Sequence, residues 1–302
     1  MRFHAIYTVL NEADLFAASV ASIYDHVDGI TVISGYDRDW KGAPHIPEGV
    51  VDRVLSREVD PQRKIELIVA AESNEARSRN RAMDFASPRR RSAHVLRQHD
   101  GDLPLPEVDY FWIVDADEIY DSADAVRLKA HVAEGRRAFY QVAAVTYFKT
   151  WDYRLEGHEE WFTAFVRADR RCGDRRNPYP NLVSRLVYRL PVGRATWSRT
   201  LGLERIPPEV GVFHHGSYVG PRERIAAKVR GFSHSDQVPG LWLEQVWDGW
   251  TPETTNFHPT VPEAFPKVSR VARNQLPSEI TGHDWPAGYL EASHADEKVG
   301  EM

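Results

Sequence analysis

The sequence has a single cysteine, no long apolar run and no excess of basic residues, and each absence disfavours a class of protein. With Cys172 alone no intrachain disulfide can form, and a reducing compartment is expected. There is no run of 18 apolar residues, and the chain begins directly with a predicted strand. We therefore expect a cytoplasmic protein without signal peptide or membrane span. The net charge of −6 indicates no general attraction to nucleic acid or to anionic membranes.

A glycine-rich phosphate loop is also absent, although the chain opens like an α/β nucleotide-binding domain. Residues 3–10 are an apolar run, residues 11–14 are polar and acidic, and apolar residues from Leu15 to Ile23 recur as on one helix face. A second apolar run, residues 30–33, completes a predicted βαβ unit. The loop after it lacks the glycines of dinucleotide-binding and P-loop proteins, which disfavours both classes. The 302 residues, 42% of them hydrophobic, suffice for one large α/β core.

The most informative segment, residues 110–119, is an apolar run that ends in three carboxylates. Four consecutive large apolar residues predict a buried strand, and because alternate side chains of a strand share a face, Asp115 and Asp117 should project together. Such a pair suits Mg²⁺ or Mn²⁺, which prefer carboxylate oxygens and often share their coordination shell with substrate phosphates. The alternative is an ordinary surface turn. Ligands of open α/β sheets lie outside the carboxyl ends of the strands, which favours the metal site.

Residues 72–86 predict a helix with several arginines close together. Arginines at this spacing are as compatible with a solvated, salt-bridged helix face as with a ligand site. Because a guanidinium fork matches phosphate oxygens, Arg79, together with Asn80, is a candidate to bind a diphosphate.

These segments resemble the nucleotide-binding half of the family 2 glycosyltransferases, which have the GT-A fold. The matching residues are Asn11, Glu12, Ala13, Arg79, Asn80, Asp115, Ala116, Asp117 and Glu118. A closer resemblance is to family 17, the bisecting N-acetylglucosaminyltransferases. It is carried by residues 28–33 with 41–44, by the Asp-x-Asp-Glu-Ile sequence at 115–119, and by a distal block at 213–234. The resemblance implies an α/β protein of GT-A type, with a mostly parallel sheet flanked by helices. Its catalytic domain would span residues 1–235, followed by a helical or irregular extension, residues 236–302, with a flexible tail.

The resemblance also implies a metal-dependent transferase that moves a sugar from a nucleotide diphosphate to an acceptor hydroxyl. A UDP-linked donor such as UDP-N-acetylglucosamine, a carbohydrate or glycoconjugate acceptor, and Mn²⁺ or Mg²⁺ at the DXD motif are expected. The expected donor-binding residues are Thr8, Asn11, Glu12, Ser34, Arg79, Asn80, Asp115 and Ala116. Ser34 departs from the pattern, since family 2 usually has Asp and family 17 Glu there. A basic run at residues 89–91 lies in an apparent insertion, and we interpret it as a solvated loop.

Two adjacent histidines in the distal block are candidates for a further metal ligand. His214 and His215 follow a short predicted strand, and imidazole is a good ligand for Mn²⁺ beside two carboxylates. The family histidine aligns with His215 when the following Ser-Tyr pair is matched, and His214 is the alternative. The predicted metal ligands are therefore Asp115, Asp117 and one of these histidines.

An inverting transferase needs a carboxylate that deprotonates the acceptor, and the sequence leaves its identity open. Glu204 is the first candidate, because it lies shortly before the histidine pair. Glu160 and Asp152 are the alternatives, in segments whose aromatic residues suit the stacking of a sugar.

Two other functions stay open. One is a sugar nucleotidyltransferase, although the glycine-rich loop of those enzymes is missing after the first strand. The other is a non-catalytic carbohydrate-binding protein with a structural cation.

Overall fold

A large mixed sheet with helices around it organises the part of the chain that the computed structural model describes: residues 1–10, 12–36, 38–39, 42–44, 56–69, 74–87, 107–173, 176, 202–231 and 235–291. In these ranges the strands are β1 (Phe3–Thr8), β2 (Gly29–Ser34), β3 (Ile65–Val69), β4 (Tyr110–Val114), β5 (Glu118–Tyr120), β6 (Phe139–Glu156), β7 (Glu160–Arg167), β8 (Leu203–Arg205), β9 (Val212–Val219) and β10 (Lys267–Arg270). The α-helices are α1 (Ala13–Ile23), α2 (Glu75–Ala86), α3 (Ser122–Gly135), α4 (Arg222–Gly231) and α5 (Ser278–Thr281). The basic run at residues 89–91 lies outside the described residues.

The strand order places the predicted acidic motif at the edge where the parallel strands end. The order is β3-β2-β1-β4-β7-β6-β9-β5, with β8 and β10 paired to β6. Strands β3, β2, β1 and β4 are mutually parallel, so their carboxyl ends lie side by side, and β7 then runs antiparallel to β4. This confirms the predicted α/β class with a mostly parallel central sheet and flanking helices. The half of the sheet formed by β3, β2, β1 and β4 is parallel and has acids at the carboxyl end of β4, which agrees with the expected GT-A type.

Both faces of the sheet are buried along β1, β2 and β4, as continuous apolar runs predict. All five residues of β4 are buried. Along β1, Ala5 and Tyr7 pack with Phe16 of α1, whereas Ile6 packs on the other face with Met83 of α2. The alternation follows from the two-residue period of a strand, and it fixes α1 and α2 on opposite faces of the sheet.

The segment after residue 235 packs against the long strand β6. Strand β10 pairs antiparallel with β6, and an aromatic cluster that includes Trp242, Trp247 and Phe257 surrounds Phe148. Near the end of the described chain, the buried Tyr289 accepts a backbone hydrogen bond from Trp151 (2.9 Å). In the described part of the chain, no helix has both the length and the apolar character needed to cross a membrane.

Candidate active site

The acidic motif forms a tight turn between β4 and β5 that neighbouring elements hold in place. Ser19 of α1 donates a hydrogen bond to the Glu118 carbonyl (2.6 Å), and the Gly216 amide of β9 donates to the Asp117 carbonyl (2.7 Å). The Glu118 amide closes the turn on the Asp115 carbonyl (3.0 Å). The backbone of the motif is therefore fixed from both sides.

Two buried arginines bind Asp115. Arg79 of α2 donates to one carboxylate oxygen (Nη2 to Oδ1, 3.0 Å) and Arg176 donates to the other (Nη1 to Oδ2, 3.1 Å). Arg79 also pairs with Glu75, one helical turn earlier. Burial alone would raise the pKa of Asp115, but the two guanidinium groups hold that pKa below its ordinary value.

A lysine binds Asp117 and bridges it to Glu12. Lys228 of α4 lies 2.6 Å from Asp117 Oδ2 and 2.9 Å from Glu12 Oε1 through its Nζ atom. Arg224 Nη2 and His215 Nε2 lie farther from the same Asp117 oxygen, at 4.0 and 3.7 Å. Burial opposes ionisation of Asp117, yet Lys228 and its neighbours lower the pKa of Asp117 well below the usual range. The two aspartates of the motif thus have separate sets of basic partners.

The third acid of the motif, Glu118, lies fully buried behind the turn. Arg176 contacts both of its carboxylate oxygens and also donates to the Ile113 carbonyl (2.7 Å). Full burial raises the pKa of Glu118 to about 8, with Arg176 opposing the rise and Asp115 adding to it. Glu118 therefore anchors Arg176 beneath Asp115.

Several buried nitrogen atoms around the two aspartates have no hydrogen-bond partner among the described residues. They are Nε and Nη1 of Arg79, Nε and Nη2 of Arg224, and Nδ1 of His215. Most buried polar groups in proteins are hydrogen-bonded, so a cluster of unmatched groups calls for an explanation. An acceptor-rich ligand would supply the missing partners.

Of the other predicted donor-binding residues, some make hydrogen bonds within the protein and others lie beside the acidic motif. Asn80 bonds both the amide and the carbonyl of Cys172 (3.1 and 2.8 Å), and Ser34 donates to the Val9 carbonyl (2.8 Å). Thr8 ends β1 with a buried hydroxyl that has no partner in the described part of the chain. Ala116 is buried within the acidic turn, and Asn11 lies outside the described residues.

The structure brings one of the two predicted histidines to the acids. In β9, adjacent side chains point to opposite faces, so His215 lies near Asp117 while His214 turns away. His214 Nδ1 pairs with the Tyr147 hydroxyl at 2.7 Å, and the two rings stack. Burial lowers the pKa of His214 to about 4, which keeps its ring neutral.

The predicted metal ligands are engaged by basic side chains in this arrangement. Both oxygens of Asp115 accept from arginines, and Asp117 accepts from Lys228. Among the described residues, no three His, Cys, Asp or Glu side chains are grouped as a metal site requires. This arrangement does not fit a divalent cation, and metal binding stays a prediction.

Of the three candidate bases, Glu160 is linked to the strand pair that carries His215. Its Oε2 accepts a hydrogen bond from Thr146 (2.7 Å), and Thr146 is opposite His215 in the β6–β9 pairing. Burial raises the pKa of Tyr218, Lys228 lowers it, and Glu160 and Asp117 both raise it, so these charges surround one hydroxyl. A cavity of about 390 Å³ adjoins this place and is lined by residues that include Thr146, Glu159 and Phe265.

The other two candidate bases make different contacts. Glu204 of β8 pairs with His131 (2.6 Å) and Arg137 (3.4 Å), and the structure does not bring it to the acidic motif. Asp152 is buried and accepts a hydrogen bond from the Glu291 amide (2.7 Å). It therefore ties the end of the described chain to β6.

Sequence reasoning missed three basic residues of the site: Arg176, Arg224 and Lys228. Lys228 and Arg224 lie within the distal block that resembles family 17, so a search there for cations could have found them. Arg176 follows several other arginines, and nothing in the sequence distinguishes it from them.

Comparison with known proteins gives a limited result. No family model and no curated protein matches the sequence. Similar solved structures include S. aureus TarS 1-349 with UDP (11% identity, TM-score 0.31, 50% of this chain and 36% of that chain) and with UDP-GlcNAc (11%, 0.30, 50% and 35%). A third is S. aureus TarS (10%, 0.39, 76% and 39%). The match thus spans little more than a third of each of these three chains. Similarity this low carries no conclusion about function, which must come from the site.

Proposed function

We propose that this protein is a glycosyltransferase that uses a nucleotide diphosphate sugar. The observation that carries the proposal is the group of buried, partly unmatched N–H donors around Asp115 and Asp117, at the carboxyl ends of β1 and β4. Ligands of open α/β sheets bind at this edge, and guanidinium groups match phosphate oxygens. A diphosphate offers the acceptor oxygens that these donors lack.

The finer assignment rests on the motif pattern of residues 1–235. Its resemblance to families 2 and 17 supports a UDP-linked donor, with UDP-N-acetylglucosamine the first choice, and inversion at the sugar carbon. The acceptor would enter through the cavity beside Glu160, whose volume of about 390 Å³ suits a small sugar.

In the proposed reaction Glu160 is the base. The acceptor oxygen forms a bond to C1 of the donor sugar while the bond between C1 and the phosphate oxygen breaks. The electron pair of that bond stays on the departing diphosphate, and the acceptor proton passes to the Glu160 carboxylate. The hydrogen bond from Thr146 orients that carboxylate. Basic groups near Asp117 would stabilise the charge that develops on the leaving group.

A screen of nucleotide sugars tests this function. A ligand that binds only the folded state raises the melting temperature, so UDP, GDP, CMP and dTDP sugars are compared by thermal shift with and without Mn²⁺. The donor that stabilises the protein is then incubated with sugar acceptors, and transfer is followed by mass spectrometry. A shift and a glycosylated product are expected. If no nucleotide sugar shifts the melting temperature, the proposal is wrong.

The products formed in such assays distinguish the glycosyltransferase from a sugar nucleotidyltransferase and from a carbohydrate-binding protein. A sugar nucleotidyltransferase would release pyrophosphate from a nucleoside triphosphate and a sugar 1-phosphate. A carbohydrate-binding protein would release no nucleoside diphosphate from any donor, with or without acceptor.

A further inference from the structure

We propose that Arg224 and Lys228 of α4 form a preformed cradle for the diphosphate, which binds there without a divalent cation. The two basic side chains would take the part that the acidic motif predicts for Mn²⁺ or Mg²⁺. This inference rests on the proposed function and identifies how its donor is held.

Lys228 occupies the place of a cation between two carboxylates. Its ammonium lies 2.9 Å from Glu12 and 2.6 Å from Asp117, and it keeps 17% of its side-chain surface exposed. An ammonium has three N–H donors, and these two carboxylates account for two of them. The third has no partner in the described part of the chain and can reach a ligand oxygen. Lys228 is therefore both the counter-charge of the acids and an accessible donor.

Arg224 is fixed in a position that leaves three of its five N–H donors without a hydrogen bond in the described residues. Its Nη1 donates to the backbone carbonyls of Ser217 and Val219, at 3.2 and 2.6 Å. Its Nε and Nη2 are buried without a hydrogen-bond partner in the described residues, although Nη2 lies 3.8 Å from Glu12 and 4.0 Å from Asp117, and 10% of the side chain is exposed. A guanidinium held through one nitrogen and unmatched at the other two is preorganised for a bidentate acceptor such as phosphate.

The unmatched groups decide between an anion and a cation as the ligand. The nitrogen atoms without hydrogen-bond partners around the motif belong to the guanidinium groups of Arg79 and Arg224 and to the ring of His215. A cation bound by Asp115 and Asp117 would take carboxylate oxygens away from Arg79 and Lys228 and add to the unpaired donors. A diphosphate would add acceptors and leave the existing ion pairs in place. Because an unpaired buried donor is costly, the anion is the better match.

Isothermal titration in EDTA tests this inference, with UDP and inorganic pyrophosphate as the probes. Pyrophosphate reports on the cradle whatever base the donor carries. The wild-type protein should bind both probes in EDTA. Arg224→Gln and Lys228→Met should each weaken binding ~10–100-fold, the range expected for a hydrogen bond to a charged group. Lys228→Arg should retain most of the affinity.

A matched control lies on the same helix. Arg222 pairs with Asp248 on the exposed surface, so Arg222→Gln should bind both probes like the wild type. Because Lys228→Met leaves two carboxylates unpaired, the double variant Glu12→Gln/Lys228→Met removes one charge of each sign and gives a second measurement if the single variant does not fold.

The outcomes separate this inference from the proposed function. Binding of UDP that requires Mn²⁺ would overturn the cradle and leave the transferase proposal standing. Binding in EDTA that is unchanged in the Arg224 and Lys228 variants would also overturn the cradle. Failure of every nucleoside diphosphate to bind, with or without Mn²⁺, would remove both.

Discussion

At the residue scale, the two aspartates of the motif differ from what strand geometry alone predicts. The sequence places Asp115 and Asp117 together at a strand end, where they would share one cation. In the structure Asp117 is buried on Lys228, whereas Asp115 faces two arginines. The difference arises because the cations come from distant parts of the chain, which a local pattern does not contain.

Removal of the Asp117 charge should therefore cost stability. Asp117→Asn leaves Lys228 with a weaker acceptor in a buried place, and loss of one partner of a buried pair typically costs about 3–5 kcal/mol. The free energy of unfolding is measured by urea denaturation. The control is Asp169→Asn, whose pair with Arg167 is exposed and should change stability by less than about 1 kcal/mol. Equal losses in the two variants would contradict the burial of Asp117.

Substitution of the two adjacent histidines should have different effects: loss of His214 should mainly lower stability, and loss of His215 should mainly weaken UDP binding. His214→Ala loses the hydrogen bond and the stacking with Tyr147 and should lower the free energy of unfolding by about 1–3 kcal/mol, with UDP affinity unchanged. His215→Ala removes one unmatched ring nitrogen near Asp117 and should weaken UDP binding ~3–10-fold at a smaller cost in stability. Both quantities are measured for both variants, and a reversed pattern would move the ligand contact to His214.

At the element scale, Gly216 of the distal block is required because β9 and β6 approach each other closely at this position. A Cβ atom at Gly216 would lie 2.6 Å from the Trp151 ring, which is fully buried in β6. Gly216→Ala should therefore destabilise the protein by about 1–3 kcal/mol and shift β9, which carries His215. A Cβ atom at Gly240 would meet no side chain or distant backbone within 4 Å, so Gly240→Ala serves as the matched control. Melting temperatures of the two variants decide the matter: similar values would show that β9 can adjust.

Local signals predict the nucleotide-binding half of the fold well. The apolar runs and the helix pattern indicate β1, α1, β2 and β4, because each is defined by periodicity within a short window. The length of β6, which runs to Glu156, could not be predicted from periodicity within a short window. Its second half is a strand because it pairs with β10, which lies far along the chain. The site divides similarly: the acids are visible in the sequence, and their basic partners are brought by the fold.

At the scale of the whole molecule, buried titratable groups should set a narrow pH range of maximal stability. Burial lowers the pKa of His4, His214 and His258 to about 4 from 6.5. Below pH 6.5 the unfolded chain therefore binds more protons than the folded chain, and stability falls as the pH decreases toward 4. Glu118, with a pKa raised to about 8 from 4.5, has the opposite effect and reduces stability as the pH rises toward 8.

These opposing groups predict maximal stability near pH ~6.5, since three histidines outweigh one carboxyl on the acidic side. Urea denaturation from pH 4.5 to 9 gives the profile. Glu118→Gln should remove the decline between pH 6.5 and 8 and make the rise in stability between pH 4.5 and 6.5 steeper, because Glu118 opposes the histidines there. If the free energy of unfolding still declines above pH 6.5 in this variant, a group other than Glu118 causes the decline.

The most direct test of the central claim, that the basic groups around the acidic motif hold a diphosphate, is a crystal structure of the protein with UDP. We predict that the diphosphate lies outside the carboxyl ends of β1 and β4, with phosphate oxygens within hydrogen-bond distance of Lys228 and of the Arg224 guanidinium. A nucleotide bound elsewhere on the protein, with Lys228 and Arg224 still without phosphate contacts, would contradict it.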